Sequence, residues 1–152
     1  MLSKWDYRFI DVARLISTWS KDPSTQIGAV IVGNNKQIIS QGYNGFFRGD
    51  IDETKENYLD REIKYKRIIH AEVNAIYNAL HNGAQIKGST LYVWGLPTCS
   101  SCAKAIIQCG IKRVVCPALE TDDRWKESGE DAISFFKMVG VEVTFYDRGD
   151  CR

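Results

Sequence analysis

The order of apolar and turn residues predicts an α/β fold, a three-layer α/β/α sandwich around one mixed sheet of about five strands. Three observations point there. A long helical period opens the chain. Two β-branched runs then flank a tight turn, and from residue 70 onward helical and strand-like segments alternate.

Residues 5–20 place apolar side chains at 5, 9, 12, 13, 16 and 19, one face of an amphipathic helix that Asp22-Pro23 stops. Residues 26–32 form a β-branched strand, Gly33-Asn34-Asn35-Lys36 a hairpin turn, and residues 37–42 the returning strand. Gly42-Tyr43-Asn44-Gly45 ends that strand in a tight, glycine-rich loop. Residues 48–67 are mostly charged and polar, a solvated excursion with room for a short helix. A helix begins at residue 70, with apolar positions at 73, 76, 77 and 80. Residues 89–94 make the third strand and deliver the chain to a helix running from Cys99 to about Cys109. Residues 111–116 are the fourth strand, 117–127 a loop, 128–139 a helix ended by Gly140, and 141–146 the fifth strand. A helix joins the last two strands, so they run parallel.

The bulk numbers narrow the classes. A chain of 152 residues, 44% apolar, fits a single domain over 1–152 with a real core. A net charge of +1 speaks against a nucleic-acid surface, which carries a strong basic excess. There is no signal-peptide pattern and no long apolar run, so membrane partners are not expected. Five cysteines, an odd count, read as reduced thiols and a cytoplasmic setting.

The chemistry concentrates in His70-Ala71-Glu72 and, some thirty residues on, Cys99-Ser100-Ser101-Cys102. One imidazole and two thiolates suit Zn²⁺, and three protein ligands leave the fourth tetrahedral position open, as catalytic zinc requires. Zinc there would bring the pKa of a water from about 15.7 toward about 7. Both motifs fall at helix N-termini, whose free N–H groups favour thiolate and hydroxide. Glu72 is a carboxylate placed to take the water's proton and pass it to a ring nitrogen and a leaving amine. A closed structural site would need a fourth ligand. His81, about three turns along its helix, and Cys109 and Cys116 read as packing residues instead.

This H-x-E…C-x-x-C pattern resembles that of the zinc-dependent nucleobase deaminases. The whole chain resembles the deoxycytidylate (dCMP) deaminases of the cytidine deaminase superfamily. The likeness is carried by Ser20-Lys21-Asp22-Pro23-Ser24-Thr25-Gln26-Ile27-Gly28-Ala29, Gly42-Tyr43-Asn44-Gly45, Lys64-Tyr65, and Ile106-Ile107-Gln108-Cys109-Gly110-Ile111-Lys112. The resemblance implies a cytidine deaminase-like fold and conversion of dCMP and water to dUMP and ammonia, the precursor supply for thymidylate. It implies zinc on His70, Cys99 and Cys102, with Glu72 catalytic. It further implies that the Ala71 N–H meets the pyrimidine carbonyl, that Asn44 binds the sugar, and that Ser24 and Gln26 lie near sugar and phosphate. Gly42, Tyr43 and Gly45 would approach a regulatory nucleotide, dCTP activating and dTTP inhibiting, with Mg²⁺ accompanying the triphosphate. A homo-oligomer, most often a hexamer, is implied as well. Some viral relatives hold a second zinc in the central insertion. No Cys or His stands between Gly33 and Ile69 here, so one zinc per subunit is expected.

The chain departs from the family pattern in one segment. Thr98 stands where the family has Pro before the first metal cysteine, Pro97 is one residue earlier, and the stretch from residue 92 to 99 is one residue longer. The bulky Trp94 is expected to wall the pocket. Arg48, Lys64, Lys66 and Arg67 are candidate phosphate contacts. The competing readings are deamination of another nucleoside, nucleotide or free base, a tRNA deaminase with a basic groove, and a zinc-stabilised nucleotide sensor, for which Glu72 would have no use.

Overall fold

The computed structural model describes residues 1–119 and 123–151. The first helix, α1, spans Lys4–Ser17. It starts on a reciprocal cap, in which Ser3 Oγ accepts from the Asp6 N–H (3.2 Å) and Asp6 Oδ2 accepts from the Ser3 N–H (2.9 Å). It ends three residues sooner than its apolar period suggests. The N–H groups of Thr18, Trp19 and Ser20 turn to carbonyls three residues back, and the Ser17 and Thr18 hydroxyls donate to Arg14 and Leu15 carbonyls.

Strands β1 (Gly28–Val32) and β2 (Ile38–Tyr43) form the expected hairpin. The expected glycine-rich loop at 42–45 is instead strand on either side of Asn44. β2 runs through Tyr43, and after Asn44 the chain continues as β3 (Gly45–Phe46), which pairs with β4 (Ile68–Ile69). Between them the polar excursion holds two short helices, α2 (Lys55–Leu59) and α3 (Arg61–Arg67), capped by Thr54 and Asp60. Then follow α4 (Ala71–His81), β5 (Thr90–Trp94), α5 (Ser100–Gln108), β6 (Arg113–Pro117), α6 (Asp123–Val139) and β7 (Glu142–Tyr146), with a 3₁₀ turn at Arg148–Asp150. α6 starts five residues before its apolar period does. Residues 123–127, Asp-Arg-Trp-Lys-Glu, hold a single apolar residue, too few to give a periodic signal. The expected loop is shorter for that reason, and its residues 120–122 lie outside the described ones.

The sheet order is β2-β1-β5-β6-β7. β1 is antiparallel to both neighbours, while β5, β6 and β7 are parallel, the last pair as expected. Alternating side chains serve two cores. Ala29, Ile31, Leu91, Val93 and Val114 pack with α4, α5 and α6 on one face. Val30, Val32, Tyr92, Val115 and Tyr146 pack with Phe9, Ile10, Ala13 and Ile16 of α1 on the other. One polar tie joins the α1 layer to the sheet. Asp6 accepts from the Tyr92 hydroxyl (2.7 Å) and pairs with Arg113 (2.8 Å), and its side chain is 4% exposed.

The α4 helix is fixed on β2. Asn74 and Asn78 side-chain amides donate to the Tyr43 and Gln41 carbonyls (2.8 and 2.7 Å), and the Ser40 hydroxyl donates to the Ala75 carbonyl (2.8 Å). Gly42 permits this closeness, because a Cβ there would fall 2.3 Å from the Ala75 nitrogen and 2.7 Å from the Ala71 oxygen. No described helix is long and apolar enough to cross a membrane.

Candidate metal and catalytic site

His70 and Cys99 are the N-cap residues of α4 and α5, and Cys102 lies in the first turn of α5. The two helix starts converge because β5, between them in sequence, lies beside β1 in the sheet and returns the chain to the same end. His70 Nδ1 is 3.3 Å from Cys102 Sγ and 3.4 Å from Cys99 Sγ. The three donor atoms lie within 4.8 Å of one another, and no fourth His, Cys, Asp or Glu joins them among the described residues.

The donors fit zinc. Tetrahedral bonds of about 2.3 Å to sulfur and about 2.05 Å to nitrogen would set a sulfur and a nitrogen roughly 3.6 Å apart, close to the spacing found. The Cys102 N–H donates to Cys99 Sγ (3.4 Å), one of the free amides of the helix start. Hydrogen bonds from the Cys102 thiol, His70 and this amide pull Cys99 down to about 4, against burial. The same Cys99–Cys102 bond, with burial, pushes Cys102 up. One thiolate is thus already favoured, and a bound cation would remove the proton shared by the pair. His81 and Cys109 stand apart from this cluster. His81 ends α4, and the Cys109 thiol donates to the Ile106 carbonyl (3.2 Å).

Glu72 belongs to the first turn of α4 and is 4% exposed. Burial pushes its carboxyl up to about 7, with the Cys99 charge adding to the rise and His70 opposing it. It shares with His70 and Cys99 a cavity of about 420 Å³, within the range of small-ligand pockets. The walls come from five stretches of chain: Asp22 to Ile27, Asn44, Tyr58 to Glu72, Leu96 to Cys99, and Trp125 to Gly129.

Of the residues singled out in the sequence, Ser24 and Asn44 line this cavity. Gln26 turns its amide to the Ser20 carbonyl (2.9 Å), and Ala71 is buried under the first turn of α4. Asn44 holds the loop before β1. Its amide nitrogen donates to the Thr25 carbonyl (2.9 Å), and its oxygen accepts from the Ile27 N–H (2.9 Å). Asp22 completes that loop, and its role went unread behind its helix-stopping position. Its fully buried carboxylate accepts from the Ser24 and Thr25 N–H groups and pairs with Lys64 at 2.7 Å. The Asp-Pro-Ser-Thr order was the signal for such an Asx turn.

The basic residues separate. Lys64 lines the cavity, and so does Arg61, which the sequence reading passed over. No described carboxylate pairs with Arg61. Arg67 pairs with Asp50 (3.4 Å), Lys66 with Glu62 (3.2 Å), and Arg48 donates to Asn78 (3.2 Å), all away from this cavity. Arg48 lines a second cavity with Tyr43, Gly45, Phe47 and Tyr77. Gly42 does not line it.

Trp94 does not wall the pocket, contrary to expectation. The strand alternation that sends Leu91 and Val93 toward α4 sends Tyr92 and Trp94 to the α1 side. There Trp94 stacks on Tyr146 (6.0 Å between ring centres) beneath the Arg14 guanidinium. Gly95, at φ +123°, then turns the chain so that Leu96, Pro97 and Thr98 form the wall.

Residues 3–118 match the family model described as the cytidine and deoxycytidylate deaminase zinc-binding region. The chain is 44% identical over 148 residues to a protein of Aliivibrio fischeri described as an uncharacterized deaminase in the luxG 3′ region, covering 95% of each. It is 42% identical to deoxycytidylate deaminase of Mus musculus, covering 91% of this chain and 77% of that one. The dCMP deaminase of cyanophage S-TIM5, solved in complex with dCMP and dUMP, superposes with a TM-score of 0.76 at 25% identity, covering 96% and 99% of the two chains.

Proposed function

The chain belongs to the cytidine and deoxycytidylate deaminase family, and from that premise we propose that it hydrolyses dCMP to dUMP and ammonia. The observation that carries this reading is the non-ligand carboxyl of Glu72, buried in one cavity with His70 and Cys99 and overlooked by the cations of Arg61 and Lys64. A nucleotide sensor would need the metal ligands but not that carboxyl.

His70, Cys99 and Cys102 would hold zinc, which would supply the Lewis acidity that activates water near neutral pH. Glu72 takes the first proton that water gives up and delivers it to N3 of the base, then takes the second from the new C4 hydroxyl and delivers it to the 4-amino group, which leaves as ammonia. Its elevated affinity for protons suits both halves of that task. Asn44 and Ser24 meet the sugar from the loop that Asp22 holds, and the Ala71 N–H at the start of α4 takes the base carbonyl. Gln26 keeps that loop closed through its bond to Ser20. Arg61 and Lys64 take the 5′-phosphate. Asp22 already neutralises part of the Lys64 charge, so Arg61 carries most of the anion's attraction.

Regulation and assembly belong to the other side of α4. Tyr43, Phe47 and Tyr77 are exposed by 38%, 49% and 52% and meet at the second cavity. Such a cluster of exposed aromatics supports a homo-oligomer, a hexamer by the family pattern. Tyr43 and Gly45 are proposed to meet a regulatory dCTP or dTTP with Mg²⁺, while Gly42 sets the distance of β2 from α4. One experiment tests the whole reading. Ammonia release from dCMP, deoxycytidine, CMP and dCTP is measured with and without dCTP or dTTP, on protein whose mass is known from sedimentation. Strong preference for dCMP is expected, and equal rates on deoxycytidine would overturn the phosphate assignment.

A further inference from the structure

The Thr98 hydroxyl is the one buried side-chain oxygen or nitrogen among the described residues that makes no hydrogen bond. Thr98 is 3% exposed, in the cavity wall immediately before Cys99. Its oxygen is sealed from water, so solvent does not satisfy it. Buried polar groups are partnered almost without exception, and an orphan next to a reactive centre marks a contact made in another state. Two polar groups stand beside this hydroxyl, the Glu72 carboxyl and the Cys116 thiol. A thiol is a weak partner, whereas a carboxylate is a strong acceptor. Glu72 and Thr98 both line the cavity. Catalytic hydrogen bonds are often long or misaligned without substrate and close in the reacting complex.

Resting on the deaminase reading above, we propose that Thr98 is a positioning residue for Glu72. Its hydroxyl donates to the far carboxyl oxygen once substrate fills the cavity, leaving the near oxygen aimed at the reacting atoms. The hydroxyl does not touch the substrate, so it acts on turnover rather than on binding.

Thr98→Val keeps the shape and removes the hydroxyl; Thr98→Ser keeps the hydroxyl. Both are compared with the wild type for zinc content, unfolding temperature, and kcat and KM on dCMP. For Thr98→Val the expected result is a roughly 10- to 100-fold fall in kcat, the range seen when outer partners of a site are lost. KM should stay within about twofold, with one zinc per chain and an unfolding temperature no lower than wild type, because an unsatisfied group has been removed. Thr98→Ser should recover most of kcat. In a Glu72→Gln background, Thr98→Val should change the residual rate little, since its target is gone. Wild-type kcat in Thr98→Val overturns the proposal. So does an equal loss in Thr98→Ser, a loss that tracks zinc, or full additivity with Glu72→Gln. A wild-type chain that does not turn over dCMP would overturn the deaminase reading itself, and this inference with it.

Discussion

Glu72 concentrates the site's reactivity in one side chain. Its carboxyl is held in a place where charge is costly, yet it neighbours three soft donors that would bind a cation. Glu72→Gln keeps volume and hydrogen-bonding capacity while removing the proton shuttle. Zinc content should stay at one per chain while kcat on dCMP falls by about 10²- to 10⁴-fold, read by metal analysis and ammonia release side by side. At this scale the sequence was legible where chemistry is local. His70, Glu72, Cys99 and Cys102 announce themselves because two ligands in one helical turn, and a ligand and a carboxyl flanking one residue, have a recognisable spacing. Asp22, Arg61 and Thr98 were not legible in their roles. Each belongs to a different wall of the cavity, and only packing brings those walls together. Trp94 shows the reverse error: the residue type suggested a pocket wall, but the parity of its strand sends it to the opposite face.

Among the elements, the contact between β2 and α4 controls where the site's first half sits. Gly42 lies against the Ala71 carbonyl oxygen and the Ala75 nitrogen, in the turn of α4 that carries His70 and Glu72. Gly42→Ala would force the helix start away from the strand. A cost of about 1–3 kcal/mol is expected from overpacking, read as a lower urea midpoint. Weaker zinc retention against a chelator should accompany it, because His70 moves with the helix. Equal stability and zinc retention would show that α4 tolerates the shift. Strands and helices were readable from periodicity, but their ends were less so. α1 stops on local hydroxyl bonds, and α6 begins in a turn with one apolar residue, features that an apolar period does not encode. The strand identity of residues 42–46 also escaped the sequence, because Gly42-Tyr43-Asn44-Gly45 has turn composition. The glycine there answers a close helix, not a bend.

For the whole molecule, the tie between α1 and the sheet has a pH dependence of its own. Burial alone would raise the Asp6 carboxyl. Hydrogen bonds from Arg113, the Ser3 N–H and Tyr92, together with the Arg113 charge, outweigh it and hold Asp6 well below its ordinary 3.8. A carboxyl lowered in the folded state contributes stability in full above its unfolded value, and that stability is lost as pH falls below it. The urea midpoint of the wild type should therefore begin to drop as pH falls through about 4 and keep dropping below about 3. Asp6→Asn should be less stable by about 3 kcal/mol at neutral pH, since Arg113 is left unpaired, and its acid slope should be shallower. Parallel slopes in the two proteins would assign the acid sensitivity to other carboxylates. The layer architecture and the parallel end of the sheet were readable from the order of elements alone, because short connections leave few topologies. The tie through Asp6 was not, since its partner stands 107 residues away.

That separation has a temporal meaning for a chain made from its N-terminus. At about 5–20 residues per second, α1 is synthesised roughly 5–20 s before Arg113 is made. During that interval Phe9, Ile10, Ala13 and Ile16 have no complete sheet to rest on, and the Asp6 carboxylate has no counter-ion. The first helix made is therefore among the last to be secured, and nascent chains stalled before β6 should be the ones that chaperones hold and proteases cut.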